Sequence, residues 1–146
     1  MKKVLAGGRF NAIHPGHIYF LQKARSLGDR LVVVIANDQT VRKKKKRLLF
    51  PAAERKKMVE ALQFVDRAVI GYPLEDEEGY ARIVAKERPS VIALGYDQKV
   101  DLRKLRKALA SRGLVCAIAR IRNYKGYRTR KIMAGRAKEK KGKREK

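Results

Sequence analysis

Five short runs rich in apolar and β-branched residues punctuate this chain: KVLAG (3–7), LVVVIAN (31–37), RAVIG (67–71), SVIALG (90–95) and LVCAIARI (114–121). Their apolar residues are continuous rather than alternating, as in strands of a parallel sheet covered on both faces. Parallel strands require long crossovers, and helical patterns fill the gaps between these runs. PGHIYFLQKARSLG (15–28) opens on Pro15 and ends at Gly28, with Ile18, Leu21, Ala24 and Leu27 on one side. PAAERKKMVEALQFV (51–65) repeats the device with Pro51, and places Met58, Val59 and Leu62 among its apolar positions. EDEEGYARIVAKE (75–87) carries acids in its first turn, where they complement the helix dipole. DLRKLRKALASRG (101–113) has Asp101 as N-cap, Leu102, Leu105 and Leu109 inward, and Gly113 as its stop. The expectation is an α/β fold with a doubly wound, five-stranded parallel sheet of Rossmann-like type.

A length of 146 residues suits one domain, expected over 1–133. Residues 134–146 have almost no apolar content and are expected to be a basic, disordered tail. The tail holds seven Lys and Arg against Glu139 and Glu145, a surplus of five that leaves nineteen of the net +24 in the body. Such a field attracts polyanions, whether nucleic acid, nucleoside triphosphate or anionic lipid. The longest apolar run is too short to span a bilayer, so no membrane partner is expected. The single Cys116 cannot form an internal disulfide, which fits a cytoplasmic location.

Both histidines of the chain lie in GGRFNAIHPGH (7–17), at the end of the first strand and the start of the first helix. Ligands of open parallel sheets bind at the carboxyl ends of strands, and helix N-termini favour phosphate. Gly7 and Gly8 allow close backbone approach, Pro15 sets the helix entry, and Gly16 leaves room beside the second ring. His14 and His17 are therefore expected to project from adjacent positions toward one anion. An accidental surface pair and a two-ligand metal site are the alternatives. No Cys, Asp or Glu stands close by in sequence to complete a zinc site, so no protein metal site is expected.

GRFNAIHPGH resembles the first signature of the HxGH nucleotidyltransferases, which join a nucleoside triphosphate to a phosphate monoester and release pyrophosphate. LGDRLVVVIANDQTVRKKKKR, PAAERKKMVEAL and VIALGYDQ extend the resemblance, over about residues 4–127, to the archaeal FAD synthases (FMN adenylyltransferases). The resemblance implies an enzyme with ATP and FMN as partners and Mg²⁺ arriving with ATP. By position it implies catalytic roles for His14 and His17, and ATP contacts at Arg9, Phe10, His14, Pro15, Gly16, His17, Asp97 and Tyr124. Arg9 and Asn11 stand where the usual signature has Thr and Asp. An Arg there is similar to the nicotinamide mononucleotide adenylyltransferases, which stay as an alternative beside a glycerol-3-phosphate cytidylyltransferase using CTP. The second signature is reduced to RTRKI (128–132), in which Arg128 and Thr129 match. A homodimer is compatible with the resemblance.

Nucleotidyl transfer needs in-line attack on the α-phosphorus, so it rests on positioning and charge stabilisation without a protein nucleophile. Imidazole donors at the phosphates would serve it, with their protonation open, because a helix N-terminus disfavours imidazolium while triphosphate favours it. RKKKKR (42–47), with Lys44 at its centre, is either a solvated loop or a phosphate-capture segment. Asp97 is a turn residue or a nucleotide contact. Tyr124 and Tyr127 serve packing or stacking. A nucleic-acid-binding protein on the same scaffold is the reading from a different class, carried by charge alone. Deleting residues 134–146 should leave ATP and FMN turnover intact while weakening any nonspecific RNA affinity and its salt dependence. A large loss of turnover on truncation would show instead that this segment completes the site.

Overall fold

The structure, a computed structural model, describes residues 2–43, 47–72, 77–96, 98 and 100–122. The described elements alternate as β1 (Lys3–Gly8), α1 (Pro15–Ser26), β2 (Arg30–Ile35), α2 (Asp38–Lys43), α3 (Ala52–Glu60), β3 (Arg67–Ile70), α4 (Glu77–Glu87), β4 (Val91–Gly95), α5 (Leu102–Ser111) and β5 (Ala117–Ile121). The strands form one parallel sheet in the order β3-β2-β1-β4-β5, which puts β1 at its centre. The chain winds outward from β1 in both directions, so the reversal falls between β1 and β4. That is the doubly wound sheet expected from the sequence.

Alternate residues of each strand feed opposite cores. Val4 and Ala6 of β1, with Val33 and Ala93, pack against Leu21 and Ala24 of α1 and Val59 of α3. Leu5, Val32, Ile92 and Leu94 pack instead against Ala81 and Val84 of α4 and Leu105 and Leu109 of α5. Every one of these side chains is essentially buried. At the amino edge of the sheet, buried Glu87 accepts from both Nη atoms of Arg67 (3.0 and 2.5 Å) and lies 3.6 Å from Lys3 Nζ. The Arg67 hydrogen bonds hold its carboxyl below the usual carboxylate range against the opposing effect of burial.

Two boundaries and one element differ most from expectation. β5 begins at Ala117 rather than Leu114, because Leu114 N–H still bonds Leu109 O (2.9 Å) in the turn that ends α5. Val115, from the same apolar run, is 97% exposed. α3 ends at Glu60 rather than Val65, since successive turns carry the chain to Asp66, whose Oδ2 accepts from Leu31 N (2.7 Å). α2 was not expected. It starts where Asn37 Oδ1 accepts Thr40 N–H at 2.8 Å, a side-chain cap that the charge-rich sequence after it conceals. Asp101 and Gly113 behave as expected: Asp101 Oδ1 accepts Lys104 N–H at 3.2 Å, and Gly113 adopts φ +67°. Residues 134–146 lie outside the described residues.

Candidate active site

β1 ends at Gly8 in the middle of the sheet's carboxyl edge, and the chain must then turn back to start α1. Phe10 makes that turn at φ +52°, a left-handed conformation costly for a bulky residue, and it holds because the ring is 99% buried in the α1-side core. Gly8 is bare for the same reason: a Cβ there would stand 2.9 Å from the Phe10 ring. Asn11 then donates through Nδ2 to Arg47 O and accepts Leu49 N–H at Oδ1 (2.9 Å). A carboxylate could not make the first of those bonds, which gives this departure from the usual signature a structural role.

The histidines cap the helix reciprocally. His14 is the N-cap, and its Nδ1 accepts Gly16 N–H at 3.0 Å. His17, three residues on, accepts His14 N–H at its own Nδ1 (3.2 Å). This is a capping box made of imidazoles, with Pro15 at the first helical position where its missing N–H costs nothing. A ring nitrogen that accepts an N–H bears no proton, so both rings carry theirs on Nε2. The two rings lie 3.9 Å apart between centroids, and the Phe10 ring is 5.3 Å from that of His17.

The cap also uses up the helix end. Gly16 N–H goes to His14 Nδ1, while His17 N–H (2.9 Å) and Ile18 N–H (3.3 Å) both go to His14 O. The expectation of a helix N-terminus that receives phosphate is therefore modified, because its first amides are committed within the cap. Burial, then the neighbouring His14, then Arg9 lower the His17 pKa to about 4. Its ring is neutral near pH 7, which answers the question of protonation for that side chain. Both histidines are half-buried, because the cap folds the rings back onto the turn.

Behind the turn sits a residue the sequence did not announce. Arg55 of α3 is fully buried and donates from Nε to Phe50 O (2.9 Å), from Nη1 to Arg9 O (2.6 Å) and from Nη2 to Asp38 Oδ1 (2.8 Å). The same Asp38 oxygen accepts Ala52 N–H at 2.8 Å. One guanidinium thus pins the turn after β1 to the segments around α2 and α3. The only advance signal was an Arg inside a helix pattern, indistinguishable in sequence from the lysines beside it.

Of the expected site residues, Arg9, Phe10, His14, Pro15, Gly16 and His17 are brought together in this one turn. Lys44, Asp97, Tyr124, Arg128 and Thr129 lie outside the described residues, as does Tyr127. Among the described residues there is no group of three or more His, Cys, Asp or Glu able to hold a metal ion, and no helix long and apolar enough to cross a membrane.

A central parallel strand running into a histidine pair at a helix cap defines a phosphate-handling α/β protein, and the chain belongs to the cytidylyltransferase-like family, whose model matches residues 5–135. More particularly, it is similar to the FAD synthase of Ferroglobus placidus, 47% identical over 122 residues, 84% of this chain and 77% of that one. The FAD synthase of Thermoplasma acidophilum is 42% identical over 126 residues, 86% of each chain. Among solved structures, the lipopolysaccharide core biosynthesis protein of Thermoplasma volcanium superposes with a TM-score of 0.79 at 37% identity, covering 85% of this chain and 98% of that one. The pantoate-β-alanine ligase of Francisella tularensis shares the fold alone, with a TM-score of 0.57 at 15% identity over 83% of this chain and 59% of that one.

Two outcomes test this geometry. Because the unfolded chain protonates His17 near pH 6.5 and the native site resists until about 4, the neutral ring's stabilisation is present above 6.5 and lost as pH falls toward 4. Urea unfolding at pH 7, 5.5 and 4 should therefore show a steeper loss in wild type than in His17→Gln; equal slopes would refute the buried neutral ring. Asp38→Ala, which strands the Arg55 charge, should cost about 3–5 kcal/mol. Adding Arg55→Met should cost less than the sum of the two single changes, and strict additivity would break the proposed tie.

Proposed function

We propose that this protein transfers the AMP moiety of ATP to the phosphate of FMN, forming FAD and pyrophosphate. The observation that carries the reading is the imidazole cap, which places two ring N–H donors on one turn at the centre of the sheet's carboxyl edge. The similarity to FAD synthases supplies the acceptor. An FMN phosphate oxygen attacks the α-phosphorus of ATP, the bond from that phosphorus to the bridging oxygen breaks, and the oxygen leaves with pyrophosphate. Negative charge builds on the α- and β-phosphate oxygens as this happens, and donors already fixed in place stabilise it without reorganising.

His17 does this as a neutral ring. Nδ1 of each histidine is tied to a backbone N–H, so each ring is fixed in orientation and in tautomer before substrate arrives. Arg9 adds positive charge beside them, and its carbonyl is held by Arg55. Mg²⁺ is part of the nucleotide substrate in this reading, held by triphosphate oxygens; the described donor set, imidazoles without a carboxylate cluster, suits that arrangement. On the family resemblance Asp97 and Tyr124 are assigned to the nucleotide and Arg128 and Thr129 to its phosphates, while Lys44 is assigned to the phosphates on its charge and its place after the second strand. The same reading places the protein in the cytoplasm and leaves the basic carboxyl-terminal segment as the region for nonspecific RNA contact.

Formation of FAD from FMN and ATP, followed by chromatography, tests the reading directly. Nicotinamide mononucleotide and glycerol 3-phosphate, offered with ATP and with CTP, should be poor acceptors; a clear preference for either would transfer the assignment to that cousin. His14→Ala and His17→Ala should each lower kcat by roughly 10²–10³-fold. Loss of the cap should also cost His14→Ala about 1 kcal/mol of stability, measurable by urea unfolding. Near wild-type turnover in both variants would remove the histidines from the chemistry.

A further inference from the structure

The sheet parts at its middle. β1 and β4 pair as Val4–Val91, Leu5–Ile92 and Ala6–Ala93, and their ladder stops there. Each half runs further: β1 stays with β2 as far as Gly8–Ile35, and β4 stays with β5 as far as Gly95–Ile121. A crevice therefore opens between the halves, at the reversal of winding where ligands of such sheets bind. The histidine turn belongs to one half and the segment after β4 to the other.

One side chain bridges the parting. Gln98 donates from Nε2 to Gly7 O of β1 (3.3 Å) and accepts Gly95 N–H of β4 at Oε1 (2.7 Å). The first partner can only accept and the second can only donate, so the amide has a single orientation. These two bonds carry the connection between β1 and β4 beyond the last ladder pair. Nε2 also donates to the Tyr80 hydroxyl of α4 at 2.9 Å. Gln98 N–H bonds Gly95 O at 3.2 Å, and Nη1 of Arg120, from β5, donates to both Gly95 O and Gln98 O at 2.9 Å. The glutamine is thus anchored on β4 and β5 and reaches across to β1 and α4.

We propose that Gln98 is a positioning residue that sets the separation of the two halves, and with it the distance from the bound nucleotide to the histidine turn; the proposal rests on the reaction assigned above. In that reading Asp97 and Tyr124, which follow β4 and β5 in sequence, belong to the nucleotide, while the imidazole donors stand after β1. The α-phosphorus is therefore held from one half and stabilised from the other. A misplacement of about 1 Å between such groups can cost on the order of 10²-fold in rate. A continued backbone ladder would fix the separation only by closing the crevice to the strand spacing of about 4.8 Å. A side-chain amide spans a wider gap and leaves the mouth open to substrate.

Two variants test this. Gln98→Met has similar length and no amide. Gln98→Glu, assayed at pH 8 to keep its carboxyl ionised, retains an acceptor for Gly95 N–H and loses the donor for Gly7 O. Both should still unfold cooperatively in urea. With ATP and FMN, each should lower kcat by about tenfold or more while either KM rises by less than about threefold, because the tie acts on the transition state and not on binding. A smaller loss of kcat in either variant overturns the proposal; in Gln98→Glu it would show that closing the Gly95 contact is the whole role of the side chain. A larger rise of either KM overturns it too, by making Gln98 a binding contact. If Gln98→Met fails to fold, Gln98→Glu decides alone by the same criterion. A wild-type protein that makes no FAD but transfers a nucleotide to nicotinamide mononucleotide or glycerol 3-phosphate overturns the assigned acceptor instead, and the same comparison on that acceptor still decides Gln98. A wild type inert toward all three acceptors overturns the assigned reaction and this proposal with it.

Discussion

A guanidinium with no access to water holds the working edge of this protein together. Arg55 cannot shed its charge, and it cannot be solvated where it lies, so its donors must be answered by the protein. They are answered by the Arg9 carbonyl, the Phe50 carbonyl and the Asp38 carboxylate, three points that are far apart in sequence. Any displacement of α3 relative to the turn after β1 would break at least one of these bonds in a buried setting. The turn is in this way referenced to the sheet on one side and to α3 on the other. Phe10 can therefore keep a left-handed backbone, and the ring of His17 has a fixed wall to lean on.

On that platform the histidine pair serves two purposes with one set of atoms. As a cap, it satisfies donors that every helix start leaves over. As a site, it delivers two oriented rings whose protons are restricted to Nε2. The two purposes reinforce each other, because the bond that satisfies the helix also selects the tautomer. Burial adds the last element by keeping His17 neutral, so its ring is a dipole rather than a fixed charge. A cap made by Ser or Asp would stabilise the helix as well, but it would leave no N–H for an anion.

The opposite edge of the sheet is held by a different device. Glu87, Arg67 and Lys3 tie the end of α4 to β1 and β3, far from the histidines. Each edge thus has its own ion pairs, Glu87 with Arg67 and Lys3 at the amino edge and Arg55 with Asp38 at the carboxyl edge. In wound parallel sheets ligands bind at the carboxyl ends of the strands, the edge that Arg55 braces here.

The amino-acid sequence by itself determined the parallel α/β architecture, the helix entries at Pro15 and Asp101, the stop at Gly113 and the histidine turn. Each of these is a local matter: continuous apolar runs, proline's fixed φ, a capping carboxylate and a glycine able to adopt positive φ act within a few residues of themselves. The capping box was not read from the residue order, because imidazoles rarely cap helices, and the bonds revealed it together with its consequence for tautomer. Tertiary structure alone decided the role of Arg55, because a guanidinium in a lysine-rich helix becomes a tie only when carbonyls from elsewhere surround it. It alone distinguished Gly7 from Gly8, adjacent and identical in sequence, since a Cβ at position 8 would strike the Phe10 ring while one at position 7 would meet only ordinary contacts. It also shortened β5, because whether Val115 belongs to a strand depends on register with β4 and on the turn leaving α5. Local chemistry is written in the order of residues; burial, register and the partners of a charge depend on what the rest of the chain brings alongside.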